Sequence, residues 1–164
     1  MNDVLLAIAT TFSALMAGLF FSYSFSVVPG LGKLTDINYL GAMQSINREI
    51  QNPVFFICFF GAIIFLPIVT VFNYPGRHLS FWLLLSATVV YYIGVFGVTI
   101  FGNVPLNNQL EKFKLLDQTS SVISDFRARF ENRWNLLNNI RTASSIISLL
   151  LMISTCILRN HESS

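Results

Sequence analysis

The sequence is short of charge. Only 11% of its 164 residues are Asp, Glu, Lys or Arg, against about 25% in an ordinary soluble domain. Histidine and cysteine are scarce too, at two each. These shortages exclude whole classes of protein. Two cysteines make neither a disulfide framework nor a metal site, so Cys58 and Cys156 read as small buried apolar residues at different depths. His78 and His161 stand alone, and no His, Cys and carboxylate cluster has ligand spacing. No Gly-rich phosphate loop or nucleophile elbow is present. No Lys or Arg precedes the first apolar run, so the basic n-region of a signal peptide is missing and the run reads as a retained anchor. A soluble globular fold, a disordered chain and a nucleic-acid module are all excluded.

What fills the sequence instead is apolar, 54% of it. Residues 4–32, 50–76, 78–110 and 142–158 carry no charge at all. About 20 apolar residues cross a bilayer as helix, so each of the first three runs spans it, and the fourth does with one borrowed turn of the helix before it. The expectation is an all-α integral membrane protein, a single domain over 1–164. Its spans fall at about 4–28, 53–72, 79–102 and 140–158, with extramembrane segments at 30–51 and 103–139. No charged residue falls inside these runs, which argues against a proton-coupled or cation transporter. In a bacterium, such a multi-pass chain belongs in the inner (plasma) membrane.

Local signals refine the spans. Pro29-Gly30 should end the first. Thr35 or Asp36 then caps a short amphipathic helix with Ile37, Leu40, Met43, Ile46 and Ile50 at helical spacing, lying along the membrane or over the bundle mouth. Asn52-Pro53 is a cap followed by a first-turn proline, and it opens the second span, which Pro67 should bend. Asn73-Tyr74-Pro75-Gly76 reads as a tight turn. Gly94 and Gly97 should mark close approach by a neighbour, and with Ala14, Ala17 and Gly18 they leave a homo-oligomer open. Ile123, Phe126, Phe130, Trp134 and Leu137 share one helical face. No Gly or Pro separates them from the last apolar run, so one helix of roughly 58 Å should run from about 120 to 158 and project from the membrane, with a frayed tail from Arg159. The architecture is therefore an up-and-down four-helix transmembrane bundle with a short amphipathic helix between the first two spans and a long, projecting fourth helix.

Alternating spans bring the candidate residues to one face. Ser22 and Tyr23 come from the first span, Gln51 and Asn52 from the second, Asn103 and Asn107 from the third, and Trp134, Asn138 and Arg141 from the fourth. The opposite face holds the turn with Arg77 and His78 and the tail with Arg159 and His161. Polar groups at the mouth of an apolar bundle suit a lipophilic ligand or lipid, with dry walls for its rings and directed donors for its oxygens. Arg141 adds a permanent charge and a planar fork of donors. Capping by the asparagines, interface anchoring by Trp134 and snorkelling by Arg141 account for the same residues structurally.

Particular strings carry a resemblance. Ser-Val-Val-Pro29, Ile-Asn-Arg-Glu-Ile-Gln-Asn-Pro53, NVPLN at 103–107, and Trp134 followed by Asn138 and Arg141-Thr142 together resemble the anthrone-oxygenase-like family of small membrane proteins. The resemblance implies a four-helix membrane protein and oxidation of an anthrone to an anthraquinone by O₂ with no metal or flavin cofactor. By position it points to Asn103, Asn107, Trp134, Asn138 and Arg141. Many relatives carry histidine where this chain has Asn138, and an amide orients a substrate without taking its proton. On this reading Arg141 and Asn138 are the candidate catalytic residues, Arg141 stabilising an enolate oxygen. Asn103, Asn107, Trp134, Tyr23 and Asn52 are candidate substrate-binding residues, with Trp134 stacking on flat rings. No base is obvious; Tyr23, Glu111 and Glu131 are the candidates, and each also has a structural reading. The competing reading is a non-catalytic membrane module that binds a lipid or a partner protein through the projecting helix. A cavity reaching Asn103, Trp134 and Arg141 separates the two.

Overall fold

In the computed structural model, which describes residues 3–74 and 79–162, the first apolar run forms α1, Asp3–Leu31. Leu6, Ala9, Ser13, Met16, Ala17 and Phe20 form its buried stripe. The helix does not stop at Pro29. It widens at Tyr23–Val27 into a π turn, where the Val28 N–H bonds the Tyr23 carbonyl five residues back. The wider turn gives the proline ring room and needs no donor from it, so the helix runs on.

Thr35, with extended backbone, precedes α2, Asp36–Glu49. Leu40 and Met43 are buried as their spacing requires, joined by Tyr39 and Asn47, and the helix covers the bundle mouth. Asn52 then caps α3, Pro53–Phe72, its Oδ1 accepting from the Phe55 N–H at 3.0 Å. Pro67 sits inside α3 and cannot donate to the Ile63 carbonyl one turn back. The Tyr92 hydroxyl donates to that carbonyl instead, at 2.7 Å.

Pro75, Gly76, Arg77 and His78 lie outside the described residues, and with them most of the expected turn. The third span, α4, Leu79–Lys112, does not end at 102. It widens twice, at Tyr92–Gly97 and Thr99–Asn103, and then continues from Val104 as regular helix. The second widening repeats the first span's device: the Val104 N–H bonds the Thr99 carbonyl, and Pro105 follows at the start of the resumed helix. α5, Ser120–Glu162, is the expected continuous helix, roughly 64 Å long. Its backbone stays helical past Arg159, where a polar tail suggested fraying.

Four helices are thus long and apolar enough to cross a membrane, and the described residues contain no strand. The protein is an all-α, multi-pass membrane bundle. α1 packs between α3 and α5, and α4 closes the ring between α5 and α3. Small residues set two of these seams. A Cβ on Gly61 would come within 2.6 Å of the Phe12 ring, and one on Gly94 would collide with the Ser144 side chain. Gly97 faces only its own helix.

A second hydrophobic cluster lies beyond the bundle, where Ile123, Phe130 and Trp134 of α5 meet Tyr39, Leu40 and Met43 of α2 and Leu106 and Leu110 of α4. The fourth helix therefore projects with α2 and the end of α4 seated on it. Arg127 locks the arrangement. Its guanidinium donates to the Gly32 carbonyl at 3.0 Å, the Leu34 carbonyl at 2.7 Å, Asp36 at 2.9 Å and Glu131 at 2.8 Å, and it lies 4.5 Å over the Tyr39 ring. Burial pushes the Tyr39 phenol above its ordinary value, so this ring stays neutral. Further along α2, Gln44 Nε2 donates to the Leu110 and Phe113 carbonyls at 2.8 and 2.9 Å and ties α2 to the end of α4.

Candidate functional site

Between the two cores lies a cavity of about 210 Å³. All four spans and α2 contribute to it. Tyr23, Asn103, Asn107, Trp134, Asn138 and Arg141 all line it. Asn52 does not. It is exposed and spends its amide on the backbone, accepting from the Phe55 N–H and donating to the Glu49 carbonyl at 2.8 Å. Five phenyl rings stand in its walls, Phe20 from α1 and Phe55, Phe56, Phe59 and Phe60 from α3. Phe55 stacks on Phe59 at 5.5 Å and Phe56 on Phe60 at 5.9 Å, as residues one turn apart on a helix can.

Arg141 is buried, at 8% exposure. Its Nη2 donates to Asn138 Oδ1 at 2.8 Å, and its charge lies over the rings of Phe20 at 4.6 Å and Trp134 at 5.6 Å. Nε has no partner, and no carboxylate pairs with the guanidinium among the described residues. A buried cation normally carries a desolvation cost of several kcal/mol that a counter-charge offsets. Here no described residue supplies one.

Asn138 is held from the other side. Its Nδ2 donates to Ser24 Oγ at 2.9 Å, and Ser24 shares a hydrogen bond with Thr142 Oγ1 at 2.8 Å. Thr142 in turn reaches the Phe20 carbonyl at 3.0 Å. Trp134 Nε1 donates to Asn107 Oδ1 at 3.0 Å, and the Trp134 ring lies 6.1 Å from that of Tyr23. Asn103 is 1% exposed and neither its Oδ1 nor its Nδ2 has a partner. The same is true of Asn47 Nδ2 and Thr99 Oγ1, both in the lining. An orphaned buried polar group costs about 1–3 kcal/mol, and these orphans share one cavity.

The model of the anthrone oxygenase family matches residues 43–151, more than half of the chain. The chain belongs to the anthrone oxygenase family. No curated protein and no solved structure matches it. The family match covers every cavity residue singled out from the sequence except Tyr23, which α1 brings in from outside it.

Of the three possible bases in this anthrone oxygenase family member, only Tyr23 reaches the cavity. Glu111 pairs with Arg48 at 2.9 Å and Glu131 with Arg127 at 2.8 Å, both outside it. Tyr23 and Arg141 are the ionisable groups of the lining. No group of three or more His, Cys, Asp or Glu able to hold a metal occurs among the described residues.

Sequence reading missed Ser24, Asn47 and Thr99. Signals for them exist. Ser24 lies one turn after the buried Phe20 on α1, whereas Ser22 is exposed. Asn47 sits on the apolar stripe of α2, four residues after Met43, where an amide is out of place. Thr99, Asn103 and Asn107 repeat every four residues along one side of α4.

Proposed function

We propose that the cavity binds a flat, lipophilic aromatic or quinol-like molecule, and that the protein oxidises it with O₂ as its family's name indicates. Anthrone is the reference substrate. One observation carries the reading: a buried arginine with no carboxylate partner among the described residues, and an asparagine with neither polar atom partnered, line one cavity whose walls include five phenyl rings.

The chemistry follows from that charge. Anthrone is acidic at the CH₂ between its rings, and loss of one proton places negative charge on the carbonyl oxygen across the central ring. The Arg141 guanidinium and the Asn103 amide supply the donors for this oxyanion in a site of low dielectric, where such donors act most strongly. The enolate reduces O₂. The CH₂ carbon loses two hydrogens and gains one oxygen atom, the other leaves as water, and the product is the anthraquinone. Trp134 and the paired phenyl rings hold the ring plane. The CH₂ proton passes to water, and Tyr23, the one phenol of the lining, hydrogen-bonds the bound molecule.

The test is direct. Purified protein in detergent is incubated with anthrone in air and under argon, and anthraquinone is measured by absorbance. Protein-dependent product that requires O₂ supports the reading. No product from anthrones and quinols, with wild-type protein folded, overturns it and leaves a non-catalytic lipid-binding module.

A further inference from the structure

Four apolar residues of the cavity wall are also exposed on the outside of the bundle. They are Phe56 and Phe60 on α3, at 39% and 47%, and Ile100 and Val104 on α4, at 40% and 39%. Each pair spans one helical turn, and the two pairs belong to helices that are neighbours in the ring. The other apolar lining residues are buried or half-buried.

The seam between α3 and α4 is the sparsest in the ring. α3 packs on the Leu79–Tyr91 part of α4, and its last side-chain links to the widened part are the Tyr92 bond to the Ile63 carbonyl and the Phe59–Phe96 ring contact at 6.2 Å. Above these, towards Pro53, the two spans part. The exposed amides Gln51 and Asn108 stand at the top of the gap. Phe60 lies seven residues into α3, roughly 10 Å below its start, within the apolar part of one leaflet.

We propose that the cavity takes its ligand sideways from the bilayer, through a window between α3 and α4 framed by Phe56 and Phe60 on one side and Ile100 and Val104 on the other. This rests on the reading of the cavity as a site for a lipophilic aromatic molecule. The ligand is one dissolved in the membrane, with its ring edge towards the chains and its oxygen towards Asn103 and Arg141. Water-soluble analogues lack this route.

Trp134 reports on the cavity. In a W82F background, which removes the exposed Trp82, it is the single tryptophan. The protein is placed in phosphatidylcholine vesicles under argon, anthrone is added, and quenching of Trp134 is followed in time. Recovery is followed on dilution into empty vesicles. The pair I100F/V104F narrows the window with apolar bulk on a lipid-facing surface, and should slow both quenching and recovery on the order of tenfold by the same factor, leaving the final quench unchanged. F60A widens it and should speed both. If wild type is quenched but I100F/V104F and F60A leave both rates unmoved while N108F slows them, the ligand comes from water past the amide rim. The window is then refuted and the site survives. If wild type shows no anthrone-dependent quenching, the site and the window fail together.

Discussion

Arg141 donates from Nη2 to the Oδ1 of Asn138, one turn before it on α5, at 2.8 Å. The bond engages Nη2, and Nε has no hydrogen-bond partner. Since Asn138 is itself tied to Ser24 on α1, two helices fix where the charge stands. Such a chain of bonds preorganises a donor, so no reorientation is needed when negative charge develops.

Replacing Arg141 separates function from stability. Arg141→Met keeps the bulk and removes an uncompensated buried charge, so the thermal midpoint in detergent should hold or rise. Anthrone turnover should fall about 10²- to 10³-fold, the usual loss for an oxyanion donor. Arg141→Lys, which keeps the charge and loses the planar fork, should recover only part of it. A sharply lowered midpoint in Arg141→Met would mark the arginine as structural.

Asn138 acts through Arg141. Asn138→Ala frees the guanidinium and should lower kcat about tenfold with less change in KM, the pattern of a donor displaced from the transition state. Asn138→Asp places a counter-charge beside Arg141 and should be the more damaging variant for turnover, although it leaves the protein at least as stable. If Asn138→Asp proves as active as wild type, an unpaired charge at Arg141 is not what the reaction uses.

Much of this was legible from the sequence because membrane helices obey one strong rule, that charge stays out of hydrocarbon. The charge gaps alone placed four spans, and alternation alone gathered Asn103, Trp134, Asn138 and Arg141 at one mouth. What escaped was the path of the helices through proline. Pro29 read as an ending, because the motif shows the missing donor and not the π turn that accommodates it. The orphaned Asn47 escaped for a related reason. It belongs to α2, and only tertiary contact shows whether an amphipathic helix lies flat or closes a cavity.

The Tyr92 hydroxyl replaces the donor that Pro67 lacks, and a double-mutant cycle tests this. Tyr92→Phe leaves the Ile63 carbonyl buried without a partner and should cost about 1–2 kcal/mol, read from thermal or denaturant unfolding in detergent. In a Pro67→Ala background the backbone N–H returns, and Tyr92→Phe should cost far less. Equal costs in both backgrounds would mean the two sites are independent.

Arg127 holds the lid. Arg127→Met removes donors from the Gly32 and Leu34 carbonyls and from Asp36 while keeping part of the apolar bulk. Losing charged hydrogen bonds of this kind should cost about 2 kcal/mol, on the order of 30-fold in the local opening of α2. Hydrogen exchange should show it as faster exchange of amides 36–49, with the bundle core unchanged. Because Ile46, Asn47 and Ile50 form one wall of the cavity, a loosened α2 should raise KM for anthrone more than it lowers kcat. Slower turnover at unchanged KM and unchanged exchange would show that the wall stands without the clamp, held by the Gln44 bonds to the end of α4.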